Sequence, residues 1–247
     1  MTFSLDGRLA LVTGASGGIG GAIALALARA GADLVLSYSG HRDDAEAVAA
    51  AVTGSGRAAT IVQADLGAAG AGGDLAKRVS SAAGPVDVLV ANAGAGVRLG
   101  WQEVDEETWA HAFAVNVTAV WQLTQALLPG MVERGFGRIL FVSSVAAFNG
   151  GVVGPHYAAS KAALHGLMHH LAPRVAASGV TVNTIAPALI AGTRMLPRAD
   201  SADAPPLPIP VGRLGQPGEI ADMALAMLTN PYLTSKVITV DGGIYPT

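Results

Sequence analysis

The feature that most restricts this chain is a repeated switch between two kinds of segment. Seven short runs are rich in Val, Ile and Leu: 9–13 (LALVT), 33–38 (DLVLSY), 58–63 (AATIVQ), 86–94 (VDVLVANAG), 137–144 (GRILFVSS), 180–187 (VTVNTIAP) and 236–241 (KVITVD). Between them lie stretches of helical composition, at 20–32, 43–56, 72–84, 105–134, 156–178 and 217–229. A strand that is apolar along its whole length must be covered on both faces, and helices in the crossovers between parallel strands supply that cover. The expectation is an α/β fold: a single-domain, Rossmann-like, doubly wound sheet of about seven parallel strands with helices on both faces. With 247 residues and 51% apolar content, the chain can build one sizeable core across 1–247.

Local signals fix some ends. Asp105 suits a helix N-cap, with Glu106 and Glu107 in the first turn, and Pro217 suits a first helical position. Pro173 lies inside a helical stretch, where it should kink or end the helix. Residues 188–212 break the rhythm, holding five of the thirteen prolines directly after a strand end. We read them as a lid over a substrate site. Arg194 and Arg198 within it are read first as exposed charges, with anion contacts as the functional alternative.

Composition removes several classes of function. The formal net charge is −3 with 13% charged residues and no block of like charge, which argues against a nucleic-acid partner. Without cysteine there is no disulfide framework, thiolate metal site or thiol nucleophile. The first residues lack a basic segment followed by a long apolar one, and the run AIALALARAGADLVL is broken by Arg29, Gly31 and Asp33. A soluble, cytoplasmic protein with no membrane partner is expected. His165 and His169 share a helical face without a carboxylate, so they read as structural or interface residues and no metal site is expected. Trp101, Trp109 and Trp121 are assigned to core packing.

Two motifs carry chemistry. In TGASGGIG, Gly14, Gly18 and Gly20 follow the first strand and open the first helix. Glycines there let backbone approach a pyrophosphate, which the helix N-terminus attracts. In a chain with 32 glycines this spacing arises by chance roughly 0.5 times, so its position in the first βα unit is what gives it weight. Tyr157 and Lys161 are far rarer. With four tyrosines and three lysines, a Y-x-x-x-K is expected about 0.05 times. Four residues apart on a helix, phenol and ammonium share a face, and a nearby cation should depress the phenol pKa and make Tyr157 a usable proton donor. Ser144 ends the strand at 137–144, on the carboxyl edge where doubly wound sheets bind ligands.

With these residues the chain resembles the short-chain dehydrogenase/reductase family over essentially its whole length. TGASGGIG resembles the family's cofactor loop, ADL at 64–66 its adenine contact and NAG at 92–94 its fourth-strand motif. NV at 116–117, Ser144, YAASK at 157–161 and VDGG at 240–243 complete the set. The resemblance implies that Tyr157 exchanges the proton at a carbonyl oxygen and that Lys161 lowers its pKa while holding the nicotinamide ribose. It implies that Ser144 orients the carbonyl and that Asn116 holds a water linking Lys161 to solvent. It places Gly14, Ser16, Gly17, Gly18, Ile19 and Gly20 around the dinucleotide phosphates and Asp65 and Leu66 by adenine. Asn92 and Gly94 would line the cleft, and Pro187, Ile190 and Thr193 would meet the nicotinamide. A homotetramer built through the helices around 105–134 and 157–178 is implied as well.

The cofactor choice turns on the end of the second strand. Tyr38 stands where an NAD enzyme would carry an acid for the ribose hydroxyl. Ser39, with Arg42 or His41, suits a 2′-phosphate, so NADP(H) is favoured over NAD(H). Gly17 points the other way, since many NADP-using relatives carry arginine there.

Within the family the chain is most similar to the 3-oxoacyl-[acyl-carrier-protein] reductases, through GRLGQPGEIA at 212–221 and VITVDGG at 237–243. That implies a thioester carbonyl substrate. Three departures weaken the carrier-protein assignment. Ser178 and Gly135 stand where basic residues often meet the acidic carrier, and Ala188 replaces a glycine beside the nicotinamide pocket. Asn149, His156 and Ala188, with Ser144, are the candidate substrate contacts. Small-ketone, sugar and secondary-alcohol reductases remain alternatives, as does a sensor that binds dinucleotide without turnover.

Overall fold

The computed structural model describes residues 4–194 and 209–246. Seven parallel strands form one sheet: β1 (Leu9–Thr13), β2 (Asp33–Tyr38), β3 (Ala59–Gln63), β4 (Val88–Ala91), β5 (Gly137–Val142), β6 (Val180–Pro187) and β7 (Val237–Val240). Their order is β3-β2-β1-β4-β5-β6-β7. The chain winds outward from β1 to β3, then returns to lay β4 on β1's other side. Strand order therefore reverses between β1 and β4, and the crevice of such sheets opens at that switch.

Alternation along each strand divides the core in two. Leu11, Val35, Leu89, Ile139, Phe141 and Val182 face one side, against α3 (Ala71–Ala83), α5 (Ala119–Glu133) and α7 (Pro155–Val175). Val12, Leu34, Leu36, Val90 and Leu140 face the other, against α1 (Gly18–Arg29), α2 (Arg42–Gly54) and α8 (Pro217–Thr229). On that second side, α1 packs directly on α8. The central strands are buried on both faces, which is why they read as continuous apolar runs. Burying one of these leucines contributes about 1.5–3 kcal/mol.

Asp105 caps α4 (Glu106–Phe113), accepting from the Thr108 amide at 2.8 Å. Gln216 and Glu219 form a capping box on α8, and Pro217 is in its first turn. The stretch read as one helix over 105–134 is interrupted. Between α4 and α5, residues Ala114–Thr118 form a π-helical turn. The short α6 (Ala146–Asn149), between Ser144 and Tyr157, was not expected from the sequence. Pro173 lies in the last turn of α7, which ends two residues further on and closes with a 3₁₀ turn at Ala176–Ser178. The tryptophans are not core residues: Trp101, Trp109 and Trp121 are 75%, 42% and 39% exposed, and Trp109 stacks on Phe113 with ring centroids 5.1 Å apart. Trp109 lies on α4, Trp121 on α5 and Trp101 in the loop before them, each with a substantial part of its surface open to solvent. The described ends of the 188–212 segment are pinned. Gly215 donates to Leu189 O at 3.0 Å and Ala191 to Gly215 O at 2.8 Å, while Val211 donates to Gly242 O at 3.1 Å. Arg198 lies outside the described residues. Among the described helices none is long and apolar enough to cross a membrane.

Candidate active site

A cleft of about 1630 Å³ runs along the carboxyl ends of the strands, larger than the roughly 300–1,000 Å³ that holds one drug-sized ligand. One end is built by the glycine loop. Thr13 Oγ1, at the end of β1, accepts from the amides of Asn92 and Ala93 at 3.1 and 3.0 Å. The Asn92 side-chain Nδ2 donates to Thr13 O at 2.9 Å and Gly14 O at 3.0 Å, tying the loop after β4 to the loop after β1. Gly14 is held at φ +63°, where a Cβ would collide with Ala93 Cα, and a Cβ on Gly20 would collide with Gly14 O. Gly17, at φ +117°, brings no side chain to cap α1, so the positive end of that helix opens into the cleft. These are the features of a dinucleotide cradle: backbone brought close by glycine, and a helix N-terminus free to meet phosphate.

The other end holds the reactive groups. Tyr157, in the first turn of α7, is 7% exposed and shares the cleft wall with Ser144, two residues past the end of β5, whose Oγ accepts from the Ala146 amide at 3.2 Å. Burial pushes its phenol up to about 12, against a smaller lowering by Ser144. The sequence led us to expect a phenol depressed by Lys161. In this structure desolvation dominates, and Tyr157 keeps its proton. Lys161 is 3% exposed; its Nζ lies 5.7 Å from the centre of the tyrosine ring and donates to Val142 O at 2.8 Å. Burial lowers the ammonium to about 8. The arrangement holds one neutral acid and one cation at the mouth of the sheet.

Asn116 is fully buried in the π turn and does not line the cleft. Its Oδ1 accepts from the Ala95 amide at 2.8 Å, which fixes the orientation of the side-chain amide. Its Nδ2 donates to Ala95 O and to Ser160 Oγ, each at 2.9 Å, and Ser160 Oγ donates to Tyr157 O at 2.8 Å. Both amide hydrogens are thus committed to pinning the 93–95 loop onto the Tyr157 turn. A Cβ on Gly94 would meet both Lys161 Nζ and Asn116 Oδ1, so glycine lets the loop pass close to both.

Gly14, Ser16, Gly17, Gly18, Ile19, Gly20, Tyr38, Ser39, Asp65, Leu66, Asn92 and Gly94 line the cleft, as do Asn149, Pro187, Ala188, Ile190 and Thr193. Two other candidates do not. Arg42 turns to the i+4 residue Glu46, its Nε 2.8 Å from the carboxylate, and stays on the exposed face of α2. His156 is 0% exposed and absent from the cleft wall, with neither ring nitrogen hydrogen-bonded. Successive helical residues are about 100° apart, so the neighbour of Tyr157 faces away from it. The sequence also missed a support. Ser143 Oγ donates to Lys161 O at 2.9 Å and lies 2.9 Å from His165 Nε2, and His165 packs on Phe148. His169 sits instead 3.1 Å from Ser235 Oγ. A strand-end serine one residue before Ser144 was the available signal.

The sheet reversal, the glycine cradle and the buried Tyr157 and Lys161 with Ser144 beside them on the cleft wall define a dinucleotide-dependent oxidoreductase. The comparisons agree. The short chain dehydrogenase family matches residues 8–204. An acetoacetyl-CoA reductase of Rhizobium meliloti is 37% identical over 96% of this chain and 98% of its own. A 2-dehydro-3-deoxy-D-gluconate 5-dehydrogenase of Bacillus subtilis is also 37% identical, over 98% and 96%. A 3-oxoacyl (acyl-carrier-protein) reductase of Agrobacterium tumefaciens, solved with NADP bound, superposes with a TM-score of 0.88 at 35% identity, covering 98% of this chain and 96% of that one. This chain belongs to the short-chain dehydrogenase family.

Proposed function

We propose that the protein is an NADP(H)-dependent reductase of 3-oxoacyl thioesters. The observation that carries this is the placing of Ser144, Tyr157 and the buried Lys161 together on the wall of the cleft that the glycine cradle also lines. NADPH, when bound, supplies hydride to the carbonyl carbon; the glycine loop and α1 N-terminus would hold its phosphates, and Thr193, Ile190 and Pro187 its nicotinamide end. Gly14 and Gly20 let the loop fold tightly enough to present its backbone to that group, because a Cβ at Gly14 would collide with Ala93 and one at Gly20 with Gly14 O. The Ser144 hydroxyl donates to the substrate oxygen and orients it. Tyr157, neutral at pH 7, gives that oxygen its proton. Lys161, mostly charged below pH 8, steadies the tyrosinate left behind. NADP(H) solved with structural relatives, and a 37% identical relative named for acetoacetyl-CoA, support the choice of cofactor and substrate class.

A second reading has its own support. Arg98 lies on the cleft wall, a cation suited to the carboxylate of a small keto acid, and the B. subtilis relative is named for such a sugar acid. Exposed Trp109 and Trp121 on α4 and α5 support assembly through those helices as a homotetramer.

Initial rates of acetoacetyl-CoA reduction, run with NADPH and with NADH, test the first reading. NADPH should be consumed rapidly, and Tyr157→Phe should abolish turnover while leaving NADPH binding nearly intact. Full activity in Tyr157→Phe would sink the catalytic assignment. No rate with the thioester, but one with a keto sugar acid, would select the second reading.

A further inference from the structure

The adenosine end of the cleft is walled by Ser16 and Gly17 on one side and by Ser39, His41 and Asp44 on the other. Arg42 is turned away on Glu46. The cation that does enter comes from the segment after β6, 150 residues beyond Asp44 in the chain. Arg194 places one guanidinium nitrogen 3.2 Å from Ser16 Oγ. The other lies 3.2 Å from Ser16 O and 2.6 Å from Asp44 Oδ2. We propose that Arg194 is the residue by which this protein selects a 2′-phosphorylated dinucleotide, held in readiness on Asp44. The proposal rests on the NADP(H) reading above.

Three observations converge on it. A doubly wound sheet binds the adenosine ribose beside the end of its second strand, and an arginine there accommodates a 2′-phosphate. Gly17 carries no side chain, so in this chain the loop supplies no cation from the position where many relatives have arginine. Asp44 lies on the cleft wall, where its negative charge would repel a 2′-phosphate unless neutralised. Arg194 does both jobs. Paired with Asp44 it cancels the repulsion, and its planar fork can turn to a phosphate bearing nearly two charges, which outbids a single carboxylate. Toward NADH, which offers no such group, the arginine stays on Asp44. The pair is about half exposed at each partner, so the discrimination should be moderate and should weaken with salt.

The test is fluorescence titration of the protein with NADPH and with NADH at fixed ionic strength, in wild type, Arg194→Gln, Arg194→Lys and Asp44→Asn. Removing a hydrogen-bonded charge from a phosphate should raise the NADPH Kd about tenfold in Arg194→Gln. The NADH Kd should move less than about threefold, since it loses only a neighbour. Arg194→Lys, charged but without the fork, should fall between. Asp44→Asn frees the arginine and should tighten NADPH about threefold. A wild type that binds NADH as tightly as NADPH would defeat the NADP(H) reading itself. A wild type that prefers NADPH, with Arg194→Gln weakening both dinucleotides equally or neither, would overturn the assignment of Arg194 alone. So would an Asp44→Asn variant that binds NADPH less well.

Discussion

Replacing Lys161 by methionine should make the protein more stable and inactive, and the gain should depend on pH in a defined way. The ammonium is 3% exposed, and its fall from 10.5 to about 8 corresponds to about 3 kcal/mol against the charged folded form. Methionine removes that cost and keeps the apolar stem. It also removes the hydrogen bond from Nζ to Val142 O, worth about 1–1.5 kcal/mol. The net gain at pH 7 is about 1.5–2 kcal/mol. Between about pH 8 and 10.5 the unfolded chain binds more protons at this lysine than the folded one, so wild-type stability rises with pH across that window. The variant lacks the rise, and near pH 10.5 its advantage should have turned into a deficit of about 1 kcal/mol, the lost hydrogen bond. Tyr157, held at about 12, pulls stability down from about pH 10 upward, but it does so in both proteins and cancels in the difference. Urea unfolding of the cofactor-free protein at pH 7, 8, 9 and 10, with m-values compared to show that the same surface unfolds, gives that difference directly. A gap between the two proteins that stays constant with pH would refute the reasoning, because burial of a charged lysine would then not be its source.

Other sites give sharper local outcomes. Gly20→Ala places a methyl against Gly14 O and the Asn92 amide, and should weaken NADPH binding at least tenfold by titration. Unchanged affinity would show that the loop is not the phosphate cradle. Asn116→Ala leaves the Ala95 amide and carbonyl and Ser160 Oγ without their shared partner, at about 2–4 kcal/mol by thermal or urea unfolding, and should lower kcat with it. Normal stability with lost activity would instead mark Asn116 as a proton-relay residue rather than a brace.

What the sequence carried well was whatever depends on neighbours in the chain. The seven strands are continuous apolar runs because both faces are covered, and the glycine loop and Tyr157–Lys161 spacing are local geometry. What it hid depends on distance or on one-residue rotations. Arg42 looked suited to a phosphate, but Glu46 one turn on captures it, whereas Arg194 reaches Ser16 from 178 residues away. His156 is beside Tyr157 in sequence and turned from it in space. The π turn at 114–118 has no apolar period of its own, so the helix read as unbroken. The phenol pKa was misjudged for a different reason: spacing reveals a nearby cation but not the depth of burial, and here burial is the larger effect.

The contact between α1 and α8 has a consequence for how the protein is made. The helix whose N-terminus faces the cleft is among the first segments synthesised, yet it rests on a helix about 190 residues further along. At roughly 5–20 residues per second, a nascent chain spends about 10–40 s with Ile23 and Leu27 of α1 synthesised and Ile220 and Met227, the α8 members of the same core cluster, still to come. Until the ribosome has delivered α8, α1 can rest on the sheet and α2 but not on the helix it packs against most extensively, and during that interval its uncovered apolar flank is a surface for chaperones to cover.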